Sequence, residues 1–415
     1  MITTFYDCYQ VLTKVYSQGA FITNALNSTQ VEPLKRREIT KICYGVVDKD
    51  IELSYYITKL TSKAPKQAIR TLLKIAMYCI AHLNKPKHAV VSSTVELVKK
   101  LGKSANSGFV NAVLRKFDVE KIELPKEKIE YLSVKYNYPV SVVNLLIDTY
   151  GEELAKSIIS YDENHNFVRF ENGVDGEKYL LENGFEYKKT PFDSLFDVKG
   201  LAINDDFNEG KFTFQSIGSV AICNAITSGE SLLDACSAPG GKSVLLSDRF
   251  NSVVSCDIHE HRVELIKSYA KRMKKLNITA IIKDSSKYCD DFSETFSHIL
   301  CDVPCSGYGT LKDNPDIKLK KCEIELENLN KIQSDILCNC SKYLKNGGEL
   351  VYSTCSIFRE ENDGIIDKFL KNNPNFIVEK VNSPLNSIKT EYGLQFLPNI
   401  SFGAGFYLCK LRKIK

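Results

Sequence analysis

The chain has 415 residues, 43% hydrophobic and 26% charged, the balance of a soluble globular protein too long for a single core. It carries no basic-then-apolar N-terminal signal and no apolar run of bilayer-spanning length, which argues against secretion and membrane insertion. The net charge of +4 hides an asymmetry: residues 1–120 hold 18 Lys and Arg against 9 Asp and Glu, a balance of +9, so this first region is suited to a polyanionic partner.

Residues 1–118 read as helical throughout. Ile39, Ile42, Val46 and Val47 share one face at spacings of three and four, as do Leu72, Ile75, Ala76 and Cys79. Pro65 opens the second of these helices and Asn84-Lys85-Pro86 closes it. The stretch 88–117 gives two more helices with a break at Gly102. Charged connectors and short helices around Pro125 and Pro139 follow, and residues 166–200 predict a small α+β module: strands at 166–172 and 185–189, a helix at 176–184. From about 212 the pattern turns to strand–helix alternation. Apolar runs at 231–235, 252–256, 279–282, 297–301 and 348–353 are separated by helical stretches such as 259–276 and 323–345, the rhythm of a doubly wound, mostly parallel sheet.

In such a sheet a ligand binds beyond the carboxyl ends of the strands. The first of those ends is DACSAPGGKS (234–243), a Gly-rich turn that ends in Gly-Lys-Ser. A triphosphate cradle would need glycine where Cys236 stands, and Pro239 removes a backbone donor. What remains is a tight Gly240-Gly241 turn that lets a ligand approach the backbone. Asp257 ends the next strand, where an acid binds ribose hydroxyls; Asp284 follows the third, placed for an adenine edge; Asp302 ends the fourth. A single acid there is an ordinary helix cap. Three after a Gly-rich turn favour an adenosine-bearing cofactor, and a nicotinamide dinucleotide would fit the same architecture.

Two cysteines discriminate. Most of the fourteen lie inside apolar runs, as small core residues of a protein in a reducing cytoplasm. There is no Cys-x-x-Cys pair, and Cys338-x-Cys340 is too tight for a zinc knuckle, so no metal site is expected. Cys305, in DVPCSGYG (302–309), and Cys355, in VYSTCS (351–356), instead follow the fourth and fifth strands on the ligand side. Two thiols and a carboxylate beside a methyl donor suit methylation of a pyrimidine at C5. A thiolate adds at C6 and makes C5 nucleophilic toward S-adenosylmethionine; a base then removes the C5 proton. Asp302, Cys305 and Cys355 match acid, base and nucleophile.

Gln215, DACSAPGGK, Asp257, Asp284, DVPCSG, PDIK (315–318) and STCSIFREEN (353–362) resemble the RNA 5-methylcytosine methyltransferases. GFVNAVLRK (108–116) resembles the NusB-like domain of the ribosomal RNA small subunit methyltransferase B family. The resemblance implies an all-α NusB-like bundle over 1–125, linker helices and a small α+β RNA-binding module over 126–210, and a Rossmann-like catalytic domain over 211–415. It implies Cys355 as nucleophile and Cys305 as the residue that releases product. Cys236, Ser237, Ala238, Pro239, Gly240, Gly241 and Lys242, with Asp257, Asp284 and Asp302, would form the S-adenosylmethionine site. Small-subunit (16S) rRNA, naked or in an early assembly intermediate, would be the partner of a cytoplasmic monomer. Three positions depart from the family pattern: Ser216 where Asp usually follows Gln, Asn314 where a basic residue usually precedes Pro-Asp, and Ala404 in place of the Asp of Asp-Gly-Phe-Phe. Two alternatives stay open: a tRNA substrate, since the catalytic residues do not encode the RNA, and a non-catalytic antitermination-type RNA-binding protein.

Overall fold

The computed structural model describes residues 1–319 and 322–414, without the side chains of 322–325. The chain divides into two compact units, the first made of Met1–Ser160 and Leu311–Lys320, the second of Tyr161–Thr310 and Lys321–Lys415.

The first unit is helical. Helices Ile2–Gln18, Arg36–Asp48, Asp50–Leu60, Gln67–Ala81, Lys87–Lys100 and Ser107–Lys116 bury one shared apolar core, and Lys128–Tyr136, Val140–Tyr150 and Glu152–Ser160 follow. The face drawn from Ile39, Ile42, Val46 and Val47 is buried. Gln67–Ala81 goes further than one face, since every residue from Thr71 to Cys79 is buried, as befits the central helix of a bundle. Its buried Lys74 is paired with Asp50, which keeps an enclosed ammonium from standing alone. The segment after Thr310 belongs here too. Asp316 accepts a hydrogen bond from the Ile22 backbone N–H at 2.8 Å, and the buried Lys318 donates to Asp48 at 2.9 Å.

The second unit opens with the small module. Strands β1 (Phe167–Phe170), β2 (Tyr187–Lys189), β3 (Leu195–Val198) and β4 (Phe212–Phe214) form an antiparallel sheet in the order β2-β3-β1-β4. The sequence reading found β1, β2 and the helix Gly176–Glu182 but not β3 or β4.

The larger sheet holds β5 (Gly229–Asp234), β6 (Phe250–Asp257), β7 (Ile278–Ile282), β8 (Phe296–Asp302) and β9 (Leu344–Thr354), parallel and in the order β9-β8-β5-β6-β7. These are the five expected apolar runs. Alternate residues feed opposite faces. Leu233, Ile299, Cys301, Leu350 and Tyr352 pack toward helices Cys322–Tyr343 and Asp363–Asn372; Leu232, Leu300 and Val351 pack toward Ile217–Asn224. Four further strands were not expected: β10 (Phe376–Glu379), β11 (Ile388–Lys389), β12 (Leu394–Phe396) and β13 (Phe406–Lys413). β13 runs antiparallel beside β9, with Leu408 opposite Ser353, and its other edge carries β12 and β10. The chain advances from β5 through β6 to β7, then returns to place β8 on the other side of β5. The reversal point therefore lies between the carboxyl ends of β5 and β8, where open sheets of this kind bind ligands.

Candidate active site

The turn after β5 is built for close approach. Gly240 has φ +104°, and a Cβ there would press on Ile266 at 3.2 Å, so glycine is required twice over. Helix Gly241–Leu246 starts directly after it. Gln215, itself gripped by the buried Arg169 at 2.7 Å, donates to the Gly241 carbonyl at 3.0 Å and fixes the turn from the small-module side. Ser216 caps the next helix by accepting from the Ser219 N–H at 3.2 Å. Asp and Ser serve equally as N-caps, so this departure from the family pattern leaves the local structure intact.

A pocket of about 180 Å³ opens at the reversal point, lined by Cys236, Ser237, Ala238, Pro239, Gly241, Lys242 and Asp302 of the expected set, together with Gln215 and Asp234. Lys242 meets Asp302 at 2.6 Å. Burial works against the Lys242 charge, but Asp302 more than offsets it and holds the ammonium above its ordinary value. The other oxygen of Asp302 accepts from Ser353 at 2.7 Å. Asp257 and Asp284 lie outside this lining. Asp257 accepts from the His259 N–H at 3.0 Å and faces Arg262 at 3.4 Å. Asp284 accepts from Ser286 and pairs with Lys287 at 3.2 Å; those hydroxyl and ammonium partners hold its carboxyl below the usual range.

Asp234 was not singled out from the sequence. It is fully buried, takes one hydrogen bond from Ser243 at 2.6 Å, and its Oδ1 has no partner among the described residues. Burial, with Asp302 nearby, pushes it up to about 7. An acid closing an apolar strand just before a Gly-rich turn was the available signal.

Because β8 and β9 are neighbours, Cys305 and Cys355 come together, with their sulfurs 3.1 Å apart and the Cys355 N–H donating to the Cys305 sulfur at 3.2 Å. Contact with Cys355 and burial push the Cys305 thiol well up. Both are free thiols, as are the core cysteines Cys256, Cys301, Cys340 and Cys409. The turns that carry the pair are clamped from below. The Gly309 N–H donates to the Cys355 carbonyl and the Gly405 N–H to the Gly309 carbonyl, each at 3.0 Å. Among the described residues no group of three or more His, Cys, Asp or Glu is placed to hold a metal ion, and no helix is long and apolar enough to cross a membrane. PDIK belongs to the first unit.

A sheet with its reversal point beside a Gly-rich turn, and carboxylates and thiols gathered at the same edge, defines a methyltransferase of Rossmann-like fold carrying a helical N-terminal unit. Residues 221–412 match the 16S rRNA methyltransferase RsmB/F family and residues 7–118 the NusB family. The probable ribosomal RNA small subunit methyltransferase B of Bacillus subtilis is 30% identical, over 94% of each chain. The ribosomal RNA small subunit methyltransferase B of Pasteurella multocida is 30% identical, over 98% of this chain and 95% of that one. Among solved structures, PH0851 shares the fold over 100% of this chain and 99% of its own, with a TM-score of 0.84 at 22% identity. NSun6 from Pyrococcus horikoshii, solved with SFG, covers 67% of this chain and 98% of its own, with a TM-score of 0.59 at 18% identity. The chain belongs to the ribosomal RNA small subunit methyltransferase B family.

Proposed function

We propose that the protein methylates C5 of a cytosine in 16S rRNA, using S-adenosylmethionine and a covalent bond between Cys355 and C6 of the base. The observation that carries this reading is the 3.1 Å approach of two free thiols at the sheet edge that also bears the Gly-rich turn and Asp302. Neighbouring ring carbons need two sulfurs this close to serve them in turn.

The pocket fits the cofactor by its donor set. The unpartnered Asp234 Oδ1 and the Asp302 carboxylate suit a cationic amino-acid end, while Lys242 and the backbone of 236–242 suit its carboxylate. A volume of about 180 Å³ takes that end alone, which leaves Asp257 to the ribose and Asp284 to the adenine. When bound, S-adenosylmethionine supplies an electrophilic methyl group. Cys355 adds its sulfur to C6 and so moves electron density onto C5, which takes the methyl group. Asp302 hydrogen-bonds the pyrimidine edge and steadies the adduct. Cys305 removes the C5 proton, and the C6–S bond breaks to return Cys355. The target base must be single-stranded or flipped out to reach these groups. The basic first unit holds the rRNA backbone, and the protein works as a cytoplasmic monomer.

Bisulfite sequencing of small-subunit rRNA from cells with and without the protein tests the reaction: one cytosine should lose protection when the protein is absent. The two thiols should fail differently. Cys355→Ala should give neither product nor adduct. Cys305→Ala should accumulate a protein–RNA adduct that survives denaturing electrophoresis. Adduct with Cys355→Ala alone would reverse the roles, and full activity in both variants would sink the covalent mechanism.

A further inference from the structure

Glu361 is fully buried, and among the described residues no Lys or Arg pairs with it. An enclosed carboxylate without a counter-ion persists only if donors satisfy it. Glu361 has four. Its Oε1 accepts from the Ser306 N–H at 2.8 Å and from Gln333 Nε2 at 3.0 Å. Its Oε2 accepts from the Ser306 hydroxyl at 2.5 Å and from the Ser356 hydroxyl. Ser306 directly follows Cys305, and Ser356 directly follows Cys355. Gln333 also donates to the Pro304 carbonyl at 2.9 Å, so both chain neighbours of Cys305 are fixed through one carboxylate. The carboxylate thus ties helix Cys322–Tyr343, through Gln333, to the residue after each thiol, and the two serines also meet one another at 3.2 Å.

We propose that Glu361 is the positioning residue that sets the separation of the Cys305 and Cys355 thiols, so that Cys305 can act on the base while Cys355 is still attached to it. This rests on the reading that both thiols serve one cytosine. Glu361 hydrogen-bonds neither sulfur; it positions them through Ser306 and Ser356.

The test uses the full-length protein and the variants Glu361→Gln and Glu361→Ala, with the pair Ser306→Ala and Ser356→Ala as a milder double variant should Glu361→Ala fail to fold. Two readouts are independent. The first is turnover on 16S rRNA. Glu361→Ala should lower kcat about 100-fold, the scale of a 1 Å misplacement of reacting groups, with little change in KM and with more adduct at steady state. Glu361→Gln, which keeps an acceptor for the Ser306 N–H, should recover most of the rate, and the double serine variant should fall between. The second readout needs no RNA. Hydrogen peroxide joins two thiols as a disulfide: the sulfurs lose two electrons and two protons, the O–O bond breaks and two waters form. Closure of Cys305 with Cys355 should be several-fold slower in Glu361→Ala and near normal in Glu361→Gln.

Wild-type closure and wild-type kcat in Glu361→Ala, or in the double serine variant, would overturn the proposal. So would a loss of activity matched by lost stability, with no added adduct and no rescue by Glu361→Gln. If the wild-type protein methylates no rRNA cytosine while closure still slows in Glu361→Ala, the positioning role stands and the proposed reaction falls.

Discussion

Asp234 carries a cost that shows as pH dependence. An Asp in the unfolded chain ionises near pH ~3.9, whereas burial, reinforced by Asp302, pushes this one up to about 7 despite the Ser243 hydrogen bond. Between those values the folded state holds a proton that the unfolded state has released. Stability should therefore fall as pH rises from about 4 to about 7, by as much as about 4 kcal/mol, and then level off. Asp234→Asn keeps an acceptor for Ser243 and should flatten that slope, read as urea midpoints at pH 5 and pH 7.5; an unchanged slope would mean that the carboxyl is ionised throughout. Asp257→Ala should weaken S-adenosylmethionine binding by roughly 2–4 kcal/mol, two hydrogen bonds to a charged group, without unfolding the protein. Calorimetric titration at wild-type affinity would remove Asp257 from the cofactor site. Cys305 and Cys355 were legible as residues because each follows an apolar strand in a polar turn. Glu361 was not, although STCSIFREEN contains it. Sequence gives Glu360 and Glu361 equal standing, and only the turn decides that Glu360 faces water while Glu361 is enclosed.

Between elements, one close approach is the crossing of the DVPCSGYG turn over the start of β13. A Cβ on Gly309 would lie 1.9 Å from the Gly405 carbonyl oxygen, and one on Gly405 would lie 2.6 Å from the Gly309 Cα. Gly309→Ala must push the two segments apart and drag the Cys355 carbonyl with them. The expected cost is about 1–3 kcal/mol or more, with methylation falling further than stability. Gly108→Ala, on a helix with open space around it, is the control and should be neutral or stabilising by up to about 1 kcal/mol. Melting temperatures and activity measured together separate the two variants; similar behaviour would show that the crossing yields easily. This crossing also accounts for AGFY, where Ala404 replaces the usual Asp but Gly405 must remain. The parallel strands were legible because burial on both faces makes them continuous apolar runs. β3, β4, β11 and β12 are short, and β13 carries lysines that read as surface. Inside the sheet, however, Lys410 reaches the buried Glu349 at 2.8 Å and Lys413 donates to the Leu344 carbonyl at 2.8 Å. Partners chosen by the fold made these lysines internal, and no local pattern announces such partners.

For the whole molecule the charge balance of residues 1–120 predicts salt-sensitive RNA binding. Lys99, Arg115 and Lys116 are exposed, and the first two line a groove of about 820 Å³ with Lys87 and His88. Replacing Lys99, Arg115 and Lys116 with Gln should flatten the plot of log affinity against log salt by about 2–3 units if each meets one phosphate, at about 0.7–0.9 units per contact. A slope equal to the wild type would mean that RNA is held elsewhere. Such point variants are a cleaner probe than removing residues 1–120, because Leu311–Lys320 packs with the first unit and would be left without Ile22 and Asp48. That same interleaving has a consequence in time. A ribosome releases the chain from its N-terminus, so the helical unit emerges long before the segment that completes it. The 160 residues from Tyr161 to Lys320 take about 8–30 s to make at synthesis speeds of about 5–20 residues per second. Throughout that interval Asp48 waits in water for Lys318, and the helical unit reaches its final packing only once most of the second unit has been synthesised behind it.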